Sequence, residues 1–285
     1  MYKLYTFENT KIEPFQNLTE EAFEHLKSDC EIIKNAHKQL IIFKHLQLNG
    51  IDYSDFMNKL SNIPVNGIDI IKLTNSDLLL NANKIVLNLL SSFTSFLDNG
   101  KYFLSKKYGR NSNEYTNLNL LIKKHTEENF PFRFLKKFRN YIVHLGFPLQ
   151  GLSFEAEKNI KNPEKMTGKI ILSVNLETLQ KEKRLFDEVH LDLMKLEDDI
   201  DLRPLIASLS LSILDIQRYI YNLQKEEIEN AIENIEMFIG NKKKNTNLIK
   251  VCWNIDSDEE SLGFNTYDIP FDMISDFKVY KKGGL

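Results

Sequence analysis

The chain has 285 residues, 42% hydrophobic and 27% charged, which is enough to bury a real core and far from the composition of disordered chains. Its formal net charge of −3 excludes a globally basic nucleic-acid coat, so any contact with a polyanion must come from a local patch. Two cysteines, Cys30 and Cys252, lie far apart and outside any Cys-x-x-Cys pair, which argues against a disulfide framework or a thiolate zinc site and implies a reducing, cytoplasmic compartment.

Gly (11) and Pro (7) are scarce, which favours long helices over a turn-rich β fold. The first residues carry no apolar segment with a small-residue cleavage site, so no secretory leader is expected. No apolar run approaches the ~20 residues needed to cross a bilayer, and no membrane association is expected.

Asn17-Leu-Thr-Glu reads as a helix start, and Phe23, Leu26, Cys30, Ile33, Leu40 and Ile41 carry the helix to about Leu48. Asn49-Gly50 is expected to stop it, with a short second helix over Asp55–Ile63 and a turn over Pro64–Gly67. Leu78–Leu104 follows as a long helix whose Val86, Leu89, Leu90, Phe93, Phe96 and Leu97 make an apolar face suited to a bundle. After a polar turn over Gly109–Asn113 comes a helix over Tyr115–His125.

Pro131 opens the next helix, which turns Phe134, Leu135, Phe138, Tyr141 and Ile142 inward and stops at Gly146 and Pro148. Two β-like runs, Leu152–Glu157 and Lys169–Asn175, joined by a loop around Asn162-Pro163, predict a hairpin. Leu185–Asp201 is acidic, seven carboxylates against Lys195 alone. Within it the cluster Glu197-Asp198-Asp199-x-Asp201 lacks the spacing of a calcium loop and reads as a solvated run before the Pro204 helix, or as a shield for the basic helix of the same or a neighbouring molecule.

Pro204 opens a helix with Ile206, Leu209, Ile213, Ile216, Ile220 and Leu223 in a heptad-like seam, continued by Ile228, Ile232, Ile235 and Ile239. Such a seam is buried against a partner helix, in the same chain or another. The end, Leu248–Tyr280, reads as β-like or irregular. The expected organisation is mainly α: an N-terminal helical region over 1–75, a helical bundle over 76–240 with a β-hairpin at about 152–175, and a C-terminal extension over 241–285.

The strongest basic concentration is Lys123–His144, where Lys123, Lys124, Arg133, Lys136, Lys137 and Arg139 face only Glu127 and Glu128, a local +4. It ends in Arg139-Asn140-x-x-x-His144. Asn140 and His144, four apart, share a helical face. Arg139 lies about 100° round the helix from Asn140 and about 140° from His144, so two facing copies of the helix suit one phosphate better than one copy does.

Arg139-Asn140-x-x-x-His144, late in a helix that follows a long bundle helix and is ended by Gly146 and Pro148, resembles the signature of the HEPN superfamily over roughly residues 78–148. The resemblance implies a helical bundle, commonly a homodimer, with Arg and His in a shared cleft. It implies an endoribonuclease that needs no metal or other cofactor and belongs to toxin or antiviral defence systems, with an antitoxin or other protein as a possible partner.

Carried over, His144 is general base or acid for attack of a ribose 2′-hydroxyl on the adjacent phosphate, Arg139 stabilises the charge that builds there, and Asn140 orients the phosphate. Lys123, Lys124, Arg133, Lys136 and Lys137 are the expected RNA-binding residues. Members that have lost catalysis serve as dimerisation, protein-binding or RNA-binding modules, which is the second expectation.

The same Arg-to-His spacing recurs at Arg184–His190, in an acidic setting that repels phosphate. Phe130, Phe132, Phe134 and Tyr141 could stack on unpaired bases, although aromatics on a bundle helix are more often core. His25, His37 and His45 have no carboxylate at ligand spacing. No phosphate-binding lysine loop, dinucleotide-binding glycine pattern, zincin motif or nucleophile elbow is present in the sequence.

Overall fold

The chain begins with strands, which the expected N-terminal helical region did not include. Tyr2-Lys-Leu-Tyr-Thr-Phe is rich in aromatic residues and buries Leu4 and Thr6, two apart on one face, a pattern that suits a half-buried strand. In the computed structural model, which describes residues 1–8, 11–61, 63–64, 76–147, 149, 153–159, 162–240, 248–257 and 262–282, strands β1 (Tyr2–Glu8) and β2 (Lys11–Leu18) form an antiparallel hairpin. Pro14 lies on β2 where the register shifts opposite Leu4 and Tyr5, and β2 is an edge strand, the place a sheet tolerates proline.

Helix α1 (Glu20–Ser61) is one continuous element. Thr19 caps it, accepting from the Ala22 amide at 3.1 Å, with Glu20 and Glu21 in the first turn. The expected stop at Asn49-Gly50 does not occur. Beyond the glycine, Tyr53 and Phe56 are buried, and that packing outweighs the ~1 kcal/mol that an internal glycine costs. Ile41, expected inward, is instead exposed.

The described residues contain nine further helices: α2 (Ser76–Tyr108), α3 (Asn113–Glu128), α4 (Phe130–Leu145), α5 (Leu176–Gln180), α6 (Lys183–Phe186), α7 (Val189–Leu193), α8 (Leu202–Asn222), α9 (Lys225–Ile239) and α10 (Phe271–Lys282). The class is mainly α, as expected. The hairpin expected at about 152–175 is present as β4 (Ser153–Asn159) and β5 (Asn162–Ile171), and the tiny β3 (Ile63–Pro64) adds to β5. Asn162 and Pro163 begin β5 rather than form a loop, and Gly168 pairs within the strand. Strands β6 (Ser173–Val174) and β7 (Ile200–Asp201) make a two-residue ladder.

The C-terminal part is regular: β8 (Ile249–Ser257), β9 (Leu262–Asp268) and α10. The four-stranded sheet has the order β2-β1-β8-β9. Most of the expected turn at 64–67, Pro148 of the expected helix stop, Leu152 of the hairpin and the lysine run 242–244 lie outside the described residues.

Two compact units result, and they do not follow the three-part division at 75 and 240. One is Met1–Leu40 with Tyr221–Leu285, and the other is Ile41–Ile220. The reason is pairing: β1 runs beside β8 with Leu4 opposite Val251, so the ends of the sequence share one sheet. In that unit Phe23 lies among Tyr2 (ring centroids 4.2 Å), Trp253 (5.4 Å) and Tyr267 (5.9 Å). His37 meets Asp276 at 2.8 Å, and Lys34 meets the Tyr267 hydroxyl at 2.8 Å.

The other unit is the bundle. Phe43, Val86, Leu90, Phe93, Phe96, Phe132, Phe138 and Leu209 fill its core. The seam residues Ile206, Leu209, Ile213, Ile216 and Ile220 are all buried within the single chain, so the apolar stripe of α8 is satisfied internally. Gly100 of α2 comes so close to α8 that a Cβ there would sit 2.9 Å from Ile220 Cδ1. Among the described residues no helix is long and apolar enough to cross a membrane.

Candidate functional site

The helix that carries the motif is fixed at both ends. At its start Asn129 caps α4, accepting from the Phe132 amide at 3.3 Å, while its amide nitrogen donates to Ser212 Oγ at 3.1 Å on α8. Pro131 occupies the first turn, where its missing N–H has no cost. At the far end Gly146 takes φ 94°, a conformation that favours glycine, and its N–H donates to the Ile142 carbonyl at 3.0 Å. Beyond it, Asn83 of α2 holds Leu149 by both halves of its amide, donating to the Leu149 carbonyl at 3.1 Å and accepting from its N–H at 3.3 Å.

Phe132, Phe134, Leu135, Phe138, Tyr141 and Ile142 are buried. Phe134 stacks between Phe130 and Phe138, with Phe186 of α6 parallel to it at 6.0 Å. These rings are core, so of the four aromatics considered for base stacking only Phe130 keeps partial exposure, and Arg133 lies over its ring at 5.6 Å.

The polar arc of α4 divides into two parts. On one side the acidic segment folds back over the helix. Arg133 donates from Nε to Asp192 at 2.8 Å and from Nη1 to the Glu127 carbonyl at 3.1 Å, and Lys137 pairs with Asp187 at 3.5 Å. Lys123 pairs with Glu127 at 3.6 Å on α3, and Lys124 is exposed there. Arg133 therefore has a structural role whether or not RNA binds. The carboxylates that meet the basic helix are Asp187 and Asp192, which precede the Glu197–Asp201 cluster from which shielding was expected.

The other part is different. Arg139 makes no ion pair among the described residues. Its Nη1 donates to Asn140 Oδ1 at a long 3.4 Å, and its Nε is buried with no hydrogen-bond partner. The guanidinium charge therefore has no carboxylate to balance it among the described residues. Lys136 is one turn away on the same arc. Burial holds its ammonium below the usual lysine range, and the like charge of Lys101 pushes it further down while Asp98 opposes the shift. Lys101, on α2, is a cation near Lys136 that pattern-reading of α4 missed. The only signal was the basic run Lys101, Lys106, Lys107 late in α2.

His144 sits exposed in the last turn of α4, with no partner on its ring among the described residues. Its neighbours Val143, Leu145 and Phe147 are exposed to 50%, 53% and 47%. The alternative pair is accounted for structurally: His190 bonds the Gln180 carbonyl at 2.8 Å within the α5–α7 layer. The acidic cluster is structural too. Asp199 accepts from the Leu176 amide at 2.9 Å and Asp201 grips Arg203 with both oxygens. Comparison with protein-family models, with curated proteins and with solved structures gives no match to this chain.

Proposed function

We propose that the chain is a HEPN-like protein that acts on RNA as a metal-independent endoribonuclease, of the kind used in toxin or antiviral systems. The observation that carries this reading is Arg139: a semi-buried guanidinium beside Asn140 that has no carboxylate partner among the described residues, on a helix whose other arginine is engaged by Asp192. In the reaction an imidazole nitrogen of His144 takes the proton of a ribose 2′-hydroxyl. The 2′-oxygen then attacks the adjacent phosphorus, the P–O5′ bond breaks, and the 5′-oxygen leaves with a proton from a second acid. Arg139 balances the added charge on the non-bridging oxygens, and the products are a 2′,3′-cyclic phosphate and a 5′-hydroxyl.

Arg139 and His144 lie about 140° apart round one helix, so each phosphate is served by Arg139 of one copy and His144 of another. Val143, Leu145 and Phe147 are the apolar surface that a second copy would cover. The same three side chains favour the alternative reading, a non-catalytic module that docks RNA or a partner protein through this end of α4. The buried α8 seam is not available for that purpose.

Incubating the purified chain with mixed RNA in EDTA tests the proposal. Cleavage leaving 2′,3′-cyclic ends, lost in both His144→Ala and Arg139→Ala while the helical circular dichroism is kept, is the expected result. Wild type and His144→Ala equally inert, or equally active, would remove the catalytic reading and leave the docking module.

A further inference from the structure

A cleft of about 690 Å³ opens in the unit formed by the two ends of the sequence, and nothing in the nuclease reading uses it. Its floor is the first part of α1, its wall is α9, and the end of β2 closes one side. From α1 come Glu21, His25 and Asp29, spaced four apart on one face, and from α9 come Asn234, Met237 and Phe238.

The charge of this cleft is one-sided. Two carboxylates, Glu21 and Asp29, line it, and among the described residues no lysine or arginine does. Glu21 lies in the first turn of α1, where an acid serves the helix N-terminus regardless of any ligand. Asp29 is a little over two turns further on and has no such role. It is half-buried, and its one hydrogen bond among the described residues is from Asn234 Nδ2 at 3.5 Å, the outer limit of a useful bond. Burial raises its carboxyl above the ordinary range, with the Asn234 bond and His25 pulling the other way.

Beyond Asn234, the α9 wall is apolar. Met237 is 68% exposed and Phe238 partly so. A half-buried carboxylate with little compensation, faced by a thioether and an aromatic ring, is what a cation on an apolar stem would complement.

We propose that this cleft binds a small organic cation, an alkylguanidinium or alkylammonium group. The charged end sits against Asp29 and its aliphatic stem against Met237 and Phe238. Glu21, at the rim, strengthens the negative field that draws the cation in.

Titration calorimetry of the full chain with agmatine as probe tests this. One saturable site is expected for the wild type, with at least tenfold weaker binding in Asp29→Asn and in Phe238→Ala, and no heat with neutral 1,4-butanediol. Asp198→Asn removes a charge from an acidic cluster elsewhere and is expected to leave binding unchanged. His25→Lys, at an exposed position, places a fixed cation in the cleft and is expected to block agmatine even if Asp29→Asn fails to fold. No saturable heat, equal binding in the wild type and His25→Lys, or an equal loss in Asp198→Asn would overturn the assignment.

Discussion

Arg133 donates from Nε to Asp192 at 2.8 Å, and through that bond the most acidic stretch of the chain is turned against its most basic helix. Lys137 and Asp187 repeat the arrangement one helical turn along. The two side chains of the first pair are 22% and 27% exposed, so the bond contributes more than an open surface pair but less than a buried one. Asp192→Ala is expected to lower stability by about 1 kcal/mol, and Arg133→Ala by more because the Glu127 carbonyl also loses its donor. Urea melts of both variants check the order. A larger loss in Asp192→Ala would contradict it.

The clamp between Asn83 and Leu149 is buried, and both backbone groups of Leu149 depend on it. Asn83→Ala strands a buried N–H and a buried carbonyl, for an expected loss of about 2–4 kcal/mol. Asn83→Asp keeps the acceptor for the N–H but sets two acceptors against each other at the carbonyl. It is therefore expected to be rescued only in part, and less so at high pH than at low pH. Thermal melts at two pH values read this directly.

Gly100 is held to glycine by Ile220 rather than by its backbone. Gly100→Ala gains helix propensity but drives a methyl into a fully buried side chain, so a net loss of about 1 kcal/mol is expected. In an Ile220→Val background, which removes the clashing Cδ1, the same substitution is expected to cost little or to stabilise. A double-mutant cycle showing no coupling would mean the two helices simply move apart.

Neither thiol should react in the folded protein. Burial pushes the Cys30 thiol up to about 12 and also raises Cys252, and both side chains are buried. A chromogenic disulfide reagent at neutral pH is expected to see essentially no thiol in the native chain and both thiols in guanidinium. Fast labelling of Cys252 in the native state would show that the sheet opens locally.

If each phosphate is served by two copies, Arg139→Ala and His144→Ala are complementary. Each alone is expected to be inactive, and mixing them, with time for subunits to exchange, is expected to restore cleavage, because a mixed pair regenerates one intact Arg139 and His144 combination. No recovery on mixing, with both variants dimeric by light scattering, would place both groups of a site in one chain.

The helices of the bundle were legible in the sequence because their apolar residues repeat at helical spacing, and α2, α4 and α8 follow that repeat closely. Asn49-Gly50 misled because local propensity is weaker than the burial of Tyr53 and Phe56 on the next turns. The sheet was hidden for a different reason: β1 finds its partner in β8, and no local pattern reports a pairing that distant. The motif on α4 was readable. Which of its cations are already engaged was not, since Asp187 and Asp192 reach Lys137 and Arg133 only through the fold.

The order β2-β1-β8-β9 also dictates when things can happen during synthesis. The chain as far as β8 must leave the ribosome before Thr6 can meet Ile249, and a lone two-stranded hairpin is only marginally stable. The bundle of residues 41–220, whose contacts are nearer in sequence, can form while Phe23 and its neighbours on α1 still wait for Trp253 and Tyr267. Completion of the sheet-bearing unit thus waits for β8 and β9 to be made, and a chain cut short before β8 would carry an open strand edge and an uncovered aromatic face, a natural target for chaperones and proteases.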